Sequence, residues 1–142
     1  MDGVSELDRE LVANILSGTG HSFRVDSDER LDAITAVSGS GPAYVFHFLE
    51  AFQRAAQALG FNEEQAPDLV LKNASGAVQQ AAASAAPFGV LRQNATSKRG
   101  TTEAAISMLD SKATGQALEA AIQAAYLRAG ELSREFGAGT RV

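Results

Sequence analysis

The sequence predicts an all-α protein with one short strand near its N-terminus. Three observations carry that prediction. The 142 residues include 27 alanines, 13 glycines, only three prolines and no tryptophan. Apolar residues recur at three- and four-residue spacing through most of the chain, and breaker residues cluster at a few points between those stretches. Alanine is the strongest helix former, and apolar residues at that spacing line one face of a helix, so composition and periodicity agree. An alanine-rich chain buries less apolar area per residue than a leucine-rich one, so these helices are expected to complete their core against a second copy.

Residues 5–17 place Leu7, Leu11, Ile15 and Leu16 on one helical face, and Gly18 and Gly20 stop the helix. Residues 21–25, HSFRV, alternate polar and apolar side chains as a strand does, and Asp26 to Asp28 follow with turn and cap chemistry. A lone strand needs a sheet to join. No later segment resembles one, so this strand is expected to pair with its counterpart in another copy or to be disordered. Over residues 28–37, Leu31, Ile34 and Val37 form a narrow stripe that runs into Ser38-Gly-Ser-Gly-Pro42, where the helix is expected to break. Pro42 suits the first turn of a new helix, in which Val45, Phe48, Leu49, Phe52, Ala56 and Leu59 hold one face until Gly60.

Asn62, Glu63 and Glu64 open the next helix, where Val70, Ala74, Ala77, Val78, Ala81 and Ala85 give a small-residue face ended by Pro87. Residues 88–94 read as one short helical turn, 95–101 as a polar loop and 102–109 as a short helix. The last helix covers residues 114–136, with Leu118, Ala121, Ile122, Ala125, Ala129, Leu132 and Phe136 on its core side, before Gly137 and Gly139 release a tail.

Composition removes several classes of function. With 12 basic and 17 acidic side chains the net charge is −5, and no basic arm or stripe is present, so no nucleic-acid partner is expected. The absence of cysteine excludes disulfides, a catalytic thiol and thiolate metal sites. Two distant histidines, His21 and His47, leave nothing for an imidazole metal centre, so no metal is expected. No apolar run approaches the ~20 residues that span a bilayer, and the first residues carry acidic groups instead of the positive charge of a secretory signal. A soluble, cytoplasmic protein with no membrane partner is the expectation.

Two polar, glycine-containing loops remain. Ser38-Gly-Ser-Gly-Pro-Ala-Tyr44 begins like a dinucleotide fingerprint, but it follows a helix, holds a proline, and has Tyr44 where the third glycine belongs. It reads as a sharp corner at which only Gly and Ser fit between closely packed helices. Thr96-Ser-Lys-Arg-Gly-Thr-Thr102 delivers hydroxyls, two cations and backbone N–H groups to the start of a helix. The first four N–H groups of a helix lack internal partners and sit at the positive end of its dipole, so a small carboxylate could rest on Gly100, Thr101 and Thr102. Spacing alone leaves simple capping by Thr101 or Thr102 equally open.

At these two loops the chain resembles the C-terminal domain of pyrroline-5-carboxylate reductase. The resemblance rests on Ser38-Gly-Ser-Gly-Pro-Ala-Tyr-Val-Phe46, preceded by Leu31-Asp-Ala-Ile-Thr-Ala36 and followed by Thr96-Ser-Lys-Arg-Gly-Thr-Thr102. It implies an interlocking helical bundle of the 6-phosphogluconate dehydrogenase C-terminal-like type, with residues 28–137 as the helical dimerisation and substrate-binding domain. Residues 1–27 would then be a remnant helix and strand from the end of a nucleotide-binding domain, and 138–142 a tail.

The resemblance further implies a homodimer, or a higher oligomer built from it, whose interface completes the active site, and a small imino-acid or proline-like ligand. In the complete family enzyme NAD(P)H reduces a cyclic imine carboxylate to proline. By the same resemblance Ser97, Gly100, Thr101 and Thr102 would hold the carboxylate, the Thr102 hydroxyl would be the catalytic contact to the ring nitrogen, and Ser38, Gly39, Ser40, Gly41 and Pro42 would shape the helix corner near the site. Lys98 and Arg99 depart from it, standing where members commonly have proline and glycine. If that glycine has positive φ, an arginine there costs roughly 1–2 kcal/mol or changes the loop path. No strand, G-x-G-x-x-G, helix unit occurs in the 142 residues, so this chain is expected to bind no cofactor and to be inactive alone. A non-catalytic dimerisation module, binding a proline-like carboxylate or a full-length reductase, is the alternative reading.

Overall fold

The computed structural model describes residues 4–18 and 23–139, and every regular element among them is helical. In order these are α1 (Glu6–Ser17), α2 (Asp28–Ile34), a π-turn (Thr35–Gly39), α3 (Gly41–Ala58), α4 (Gln65–Ala82), α5 (Phe88–Asn94), α6 (Thr101–Ser111) and α7 (Thr114–Gly139). Local chemistry explains most boundaries. Ser5 caps α1 by accepting from the Asp8 N–H at 3.2 Å, and Ser27 caps α2 by accepting from the Arg30 N–H at the same distance. Gly60, at φ +100°, ends α3 in a conformation that suits glycine. Asn62 and Gln65 form a reciprocal capping box ahead of α4: Asn62 Oδ1 accepts from the Gln65 N–H at 2.8 Å, and Gln65 Oε1 accepts from the Asn62 N–H at 3.2 Å.

Three expectations need correction. Phe23 to Val25 are without regular structure, so the short strand is not found there; His21 and Ser22 lie outside the described residues. The physical reason is that the described chain offers no second strand whose N–H and C=O groups could pair. The segment after α2 does not break. Its hydrogen bonding shifts from four residues to five, with the Ser40 N–H donating to Thr35 O at 3.0 Å, and Ser40 itself keeps right-handed helical dihedrals. Pro42 has no N–H, and its ring would collide with the Ser38 carbonyl in a regular helix; the wider turn carries the chain past that conflict. Finally, α4 ends at Ala82, before Pro87, because Ser84 Oγ accepts from the Ala86 N–H at 3.1 Å and closes a turn of its own.

The helices pack in a chain of local pairs. α3 and α4 form a hairpin, α7 lies against α2 and the π-turn, and α6 folds back on α7. Asp32 and Ser133 tie α2 to α7 through a 3.0 Å hydrogen bond donated by the serine hydroxyl. Gly130 permits that approach, since a Cβ there would stand 3.3 Å from Asp32 Oδ2.

Little is buried. Among the described residues the core comprises Ala36, Ala56, Ala66 and Val70, while Phe46, Phe48 and Phe52 on α3 stay 67%, 43% and 48% exposed. The accessible surface is 11756 Å², against about 7,000 Å² for a compact monomer of this mass. The apolar faces legible in the sequence are therefore present, but a single chain covers only part of them.

Candidate functional site

The loop at residues 96–100 leads from the short α5 into α6. Thr96 does not serve a site: its hydroxyl donates to Arg92 O at 2.7 Å and finishes the end of α5. From Ser97 the chain makes a tight turn in which the Gly100 N–H donates to Ser97 O at 3.1 Å. Arg99 sits in this turn at φ +59°, and of the described non-glycine residues only Ala113 shares a positive φ. A negative φ at Lys98 followed by a positive φ at Arg99 is the pattern of a type II turn, which favours proline first and glycine second. Arg99 itself thus takes up the left-handed conformation.

Gly100 follows in an extended conformation, φ −93° and ψ 174°, as the N-cap of α6. A Cβ there would stand 2.5 Å from Ser97 Oγ and 3.1 Å from Ser97 O, so the serine folds over a space that only glycine leaves. No side chain caps α6. Capping by Thr101 or Thr102, the equal alternative on spacing, does not occur, and α6 begins at Thr101. The hydroxyls of Ser97, Thr101 and Thr102 make no hydrogen bond within the described chain. Lys98 and Arg99 are exposed and form no ion pair among the described residues. The N-terminus of an eleven-residue helix is therefore presented with free amides, three free hydroxyls and two unpaired cations, a surface complementary to an anion.

One contact here was not signalled by glycine or hydroxyl density. Glu103 Oε2 accepts from the Arg99 N–H at 2.6 Å. The signal available in the sequence was a glutamate at the third helical position, where a capping-box carboxylate reaches back across the helix start.

The second loop is assembled differently. The Tyr44 hydroxyl donates to Ala36 O at 3.0 Å, satisfying a carbonyl in the π-turn, and Thr35 Oγ1 donates to Leu31 O at 2.9 Å. Close helix packing does not explain the glycines within one chain. A Cβ on Gly39 would meet Thr35 Cγ2 at an ordinary 3.7 Å, and one on Gly41 would meet nothing within 4 Å. Ser38, Gly39, Ser40, Gly41 and Pro42 sit where the π-turn packs on α2, α3 and α7, and no hydrogen bond joins them to residues 97–102. The segment also lacks the geometry of a dinucleotide loop, because a helix precedes it and Pro42 occupies the first turn of α3.

Away from the loops, His47 rests edge-on against Phe48 with ring centroids 6.2 Å apart. Among the described residues no cluster of His, Asp and Glu could hold a metal ion, and no helix is long and apolar enough to cross a membrane.

Comparison with known proteins places both loops in one context. Residues 28–132 match the family model described as pyrroline-5-carboxylate reductase dimerisation. The chain is 40% identical over 134 residues to a pyrroline-5-carboxylate reductase of Pseudomonas aeruginosa, covering 94% of this chain and 49% of that protein. Among solved structures, the pyrroline-5-carboxylate reductase of Coxiella burnetii superposes with a TM-score of 0.84 at 37% identity, over 93% of this chain and 49% of that one. The Plasmodium falciparum pyrroline carboxylate reductase with NADP bound gives a TM-score of 0.85 at 28% identity, over 91% and 49%. The chain spans about half the length of the relatives it matches.

Proposed function

The chain belongs to the pyrroline-5-carboxylate reductase family, through that family's dimerisation domain, and on that premise we propose that it is the dimerisation and substrate half of an enzyme reducing 1-pyrroline-5-carboxylate to L-proline with NAD(P)H in proline biosynthesis. Residues 28–137 form the dimerisation and substrate-binding domain, 1–27 are closing elements of a nucleotide-binding domain, and 138–142 follow it, with α7 continuing through Ala138 and Gly139 past the point where Gly137 was expected to release a tail. No dinucleotide-binding unit occurs in these residues, so the cofactor is held elsewhere and this chain alone does not turn over substrate.

The chemistry left to it is binding and orientation. The observation that carries the reading is the bare start of α6. The substrate carboxylate rests on the amides of Thr101 and Thr102 and on Ser97 Oγ, beside Gly100, and an anion at such a site gains up to about 2 kcal/mol where it is partly buried. The Thr102 hydroxyl meets the ring nitrogen and fixes which face of the C=N bond is presented, so that catalysis here is positioning. A second copy supplies the apolar cover that α3 and α4 lack, and its π-turn corner completes a site that neither loop completes alone.

The test combines this chain with a family nucleotide-binding domain in trans and follows NADPH oxidation with pyrroline-5-carboxylate. Turnover that saturates with added chain is expected, and Thr102→Val should lower kcat/KM by about a hundredfold. Absence of turnover together with no heat on titration with L-proline would overturn the reading. Binding of L-proline without turnover would favour the non-catalytic module.

A further inference from the structure

Arg99 occupies a backbone conformation that residues with a Cβ rarely adopt, and one side chain bonds its amide. Its N–H donates to Glu103 Oε2 at 2.6 Å, a short contact of the charge-assisted kind. The next amide, that of Gly100, is already taken by Ser97 O. The two amides preceding the free ones at the head of α6 are thus both fixed, one by the turn itself and the other by a carboxylate four residues ahead. The Arg99 side chain gives no support, being exposed and without an ion pair.

We propose that Glu103 is the positioning residue of this loop: its carboxylate clamps the Arg99 amide, keeps the left-handed turn in place, and so sets the direction of Ser97 Oγ and of the Thr101 and Thr102 amides. A glycine at position 99 would adopt this turn unaided, whereas an arginine released from the clamp relaxes toward negative φ. Ser97 folds directly over Gly100, so any rotation of the turn displaces its hydroxyl. A carboxylate at the third position of α6 is itself favoured by the helix dipole, which helps to hold the clamp in place. The consequence for ligand binding rests on the function proposed above; the clamp does not.

The experiment uses the full chain labelled for backbone NMR, with L-proline as the probe, and compares Glu103→Ala, Glu103→Gln, Arg99→Gly and the Glu103→Ala/Arg99→Gly double variant. Glu103→Ala should speed exchange of the Arg99 amide about tenfold and weaken L-proline by a similar factor, the scale of one hydrogen bond to a charged group. Glu103→Gln, whose amide oxygen can accept the same bond, should restore most of both. In the double variant the glycine should recover L-proline affinity without the carboxylate, which a general loss of stability could not do. Unchanged exchange at Arg99 in Glu103→Ala, or no recovery in the double variant where the parent binds L-proline, would overturn the clamp. If no variant binds L-proline, wild type included, the proposed function fails, and exchange at Arg99 still decides the clamp.

Discussion

Arg99 and Ala113 flank the same helix and share a left-handed backbone, φ +59° and +54°, yet they are held by different means. At Ala113 the hold comes from both neighbouring helices. The Lys112 N–H donates to Met108 O, the Ala113 N–H to Asp110 O, Thr114 Oγ1 to Leu109 O, and the Ala117 N–H back to Ala113 O, all at 2.9–3.1 Å. At Arg99 the hold comes from the Ser97 turn and one removable carboxylate. Strain between two paired helices serves their geometry. Strain at Arg99 stands instead beside free amides and unbonded hydroxyls, the place where the proposed function puts a ligand, and such strain persists only where its surroundings over-determine it.

The largest expected effect breaks the site side of this comparison. Gly100→Ala places a Cβ 2.5 Å from Ser97 Oγ and 3.1 Å from Ser97 O, so the serine hydroxyl must swing aside and the Ser97 carbonyl must give by a few tenths of an ångström. A destabilisation of about 1–3 kcal/mol is expected from the overpacking, with loss of L-proline binding, read by thermal melts at fixed protein concentration and by calorimetry. A smaller effect of opposite sign sharpens the comparison. Ala113→Gly relieves roughly 1–2 kcal/mol of left-handed strain and gives back about 0.5–1 kcal/mol in unfolded-chain entropy. The net gain should raise the melting temperature by a few degrees. Its effect should add independently to that of Glu103→Ala, whereas Arg99→Gly should couple to Glu103→Ala; additivity at both positions would erase the distinction between them.

The two regions also differ in how far the sequence disclosed them. Helix starts were legible wherever a short polar side chain caps an amide, as at Ser5, Ser27 and Asn62, because that chemistry is local. The density of glycine and hydroxyls marked residues 96–102 as a loop, but from Lys98 and Arg99 themselves the positive φ at 99 could be raised only as a condition, through the glycine that the resemblance puts there. The π-turn was not legible, since its five-residue hydrogen bond is a compromise between a helix already running from Asp28 and the missing N–H of Pro42. Glu103 was not legible as a clamp either, because a first-turn carboxylate looks the same whether it meets a dipole or a particular amide. The faces of α3 and α4 were read correctly as apolar, but periodicity does not say that a partner, and not the same chain, must cover them.

A weaker tie tests the structural side alone. Ser133→Ala removes the exposed hydrogen bond to Asp32 that joins α7 to α2 and should cost about 0.5–1 kcal/mol while leaving exchange at the Arg99 amide unchanged. A change in Arg99 exchange would show that the two regions are mechanically joined.

The smallest effect concerns pH, far from both left-handed residues. The Glu29 carboxyl lies below its usual range, first because of a hydrogen bond with its own backbone N–H and second because of the Ser27 side chain, with burial opposing weakly. A carboxyl lowered in the folded state adds stability that is fully present above its unfolded value and is lost as the pH falls through the folded one. Glu29→Gln should therefore melt slightly lower than the parent at neutral pH, and the gap should close on acidification through the carboxylate range. The group is exposed and solvent-screened, so the gap should also narrow with added salt. A gap that instead widens in acid would mean that the ionised carboxylate is not the form held at the start of α2.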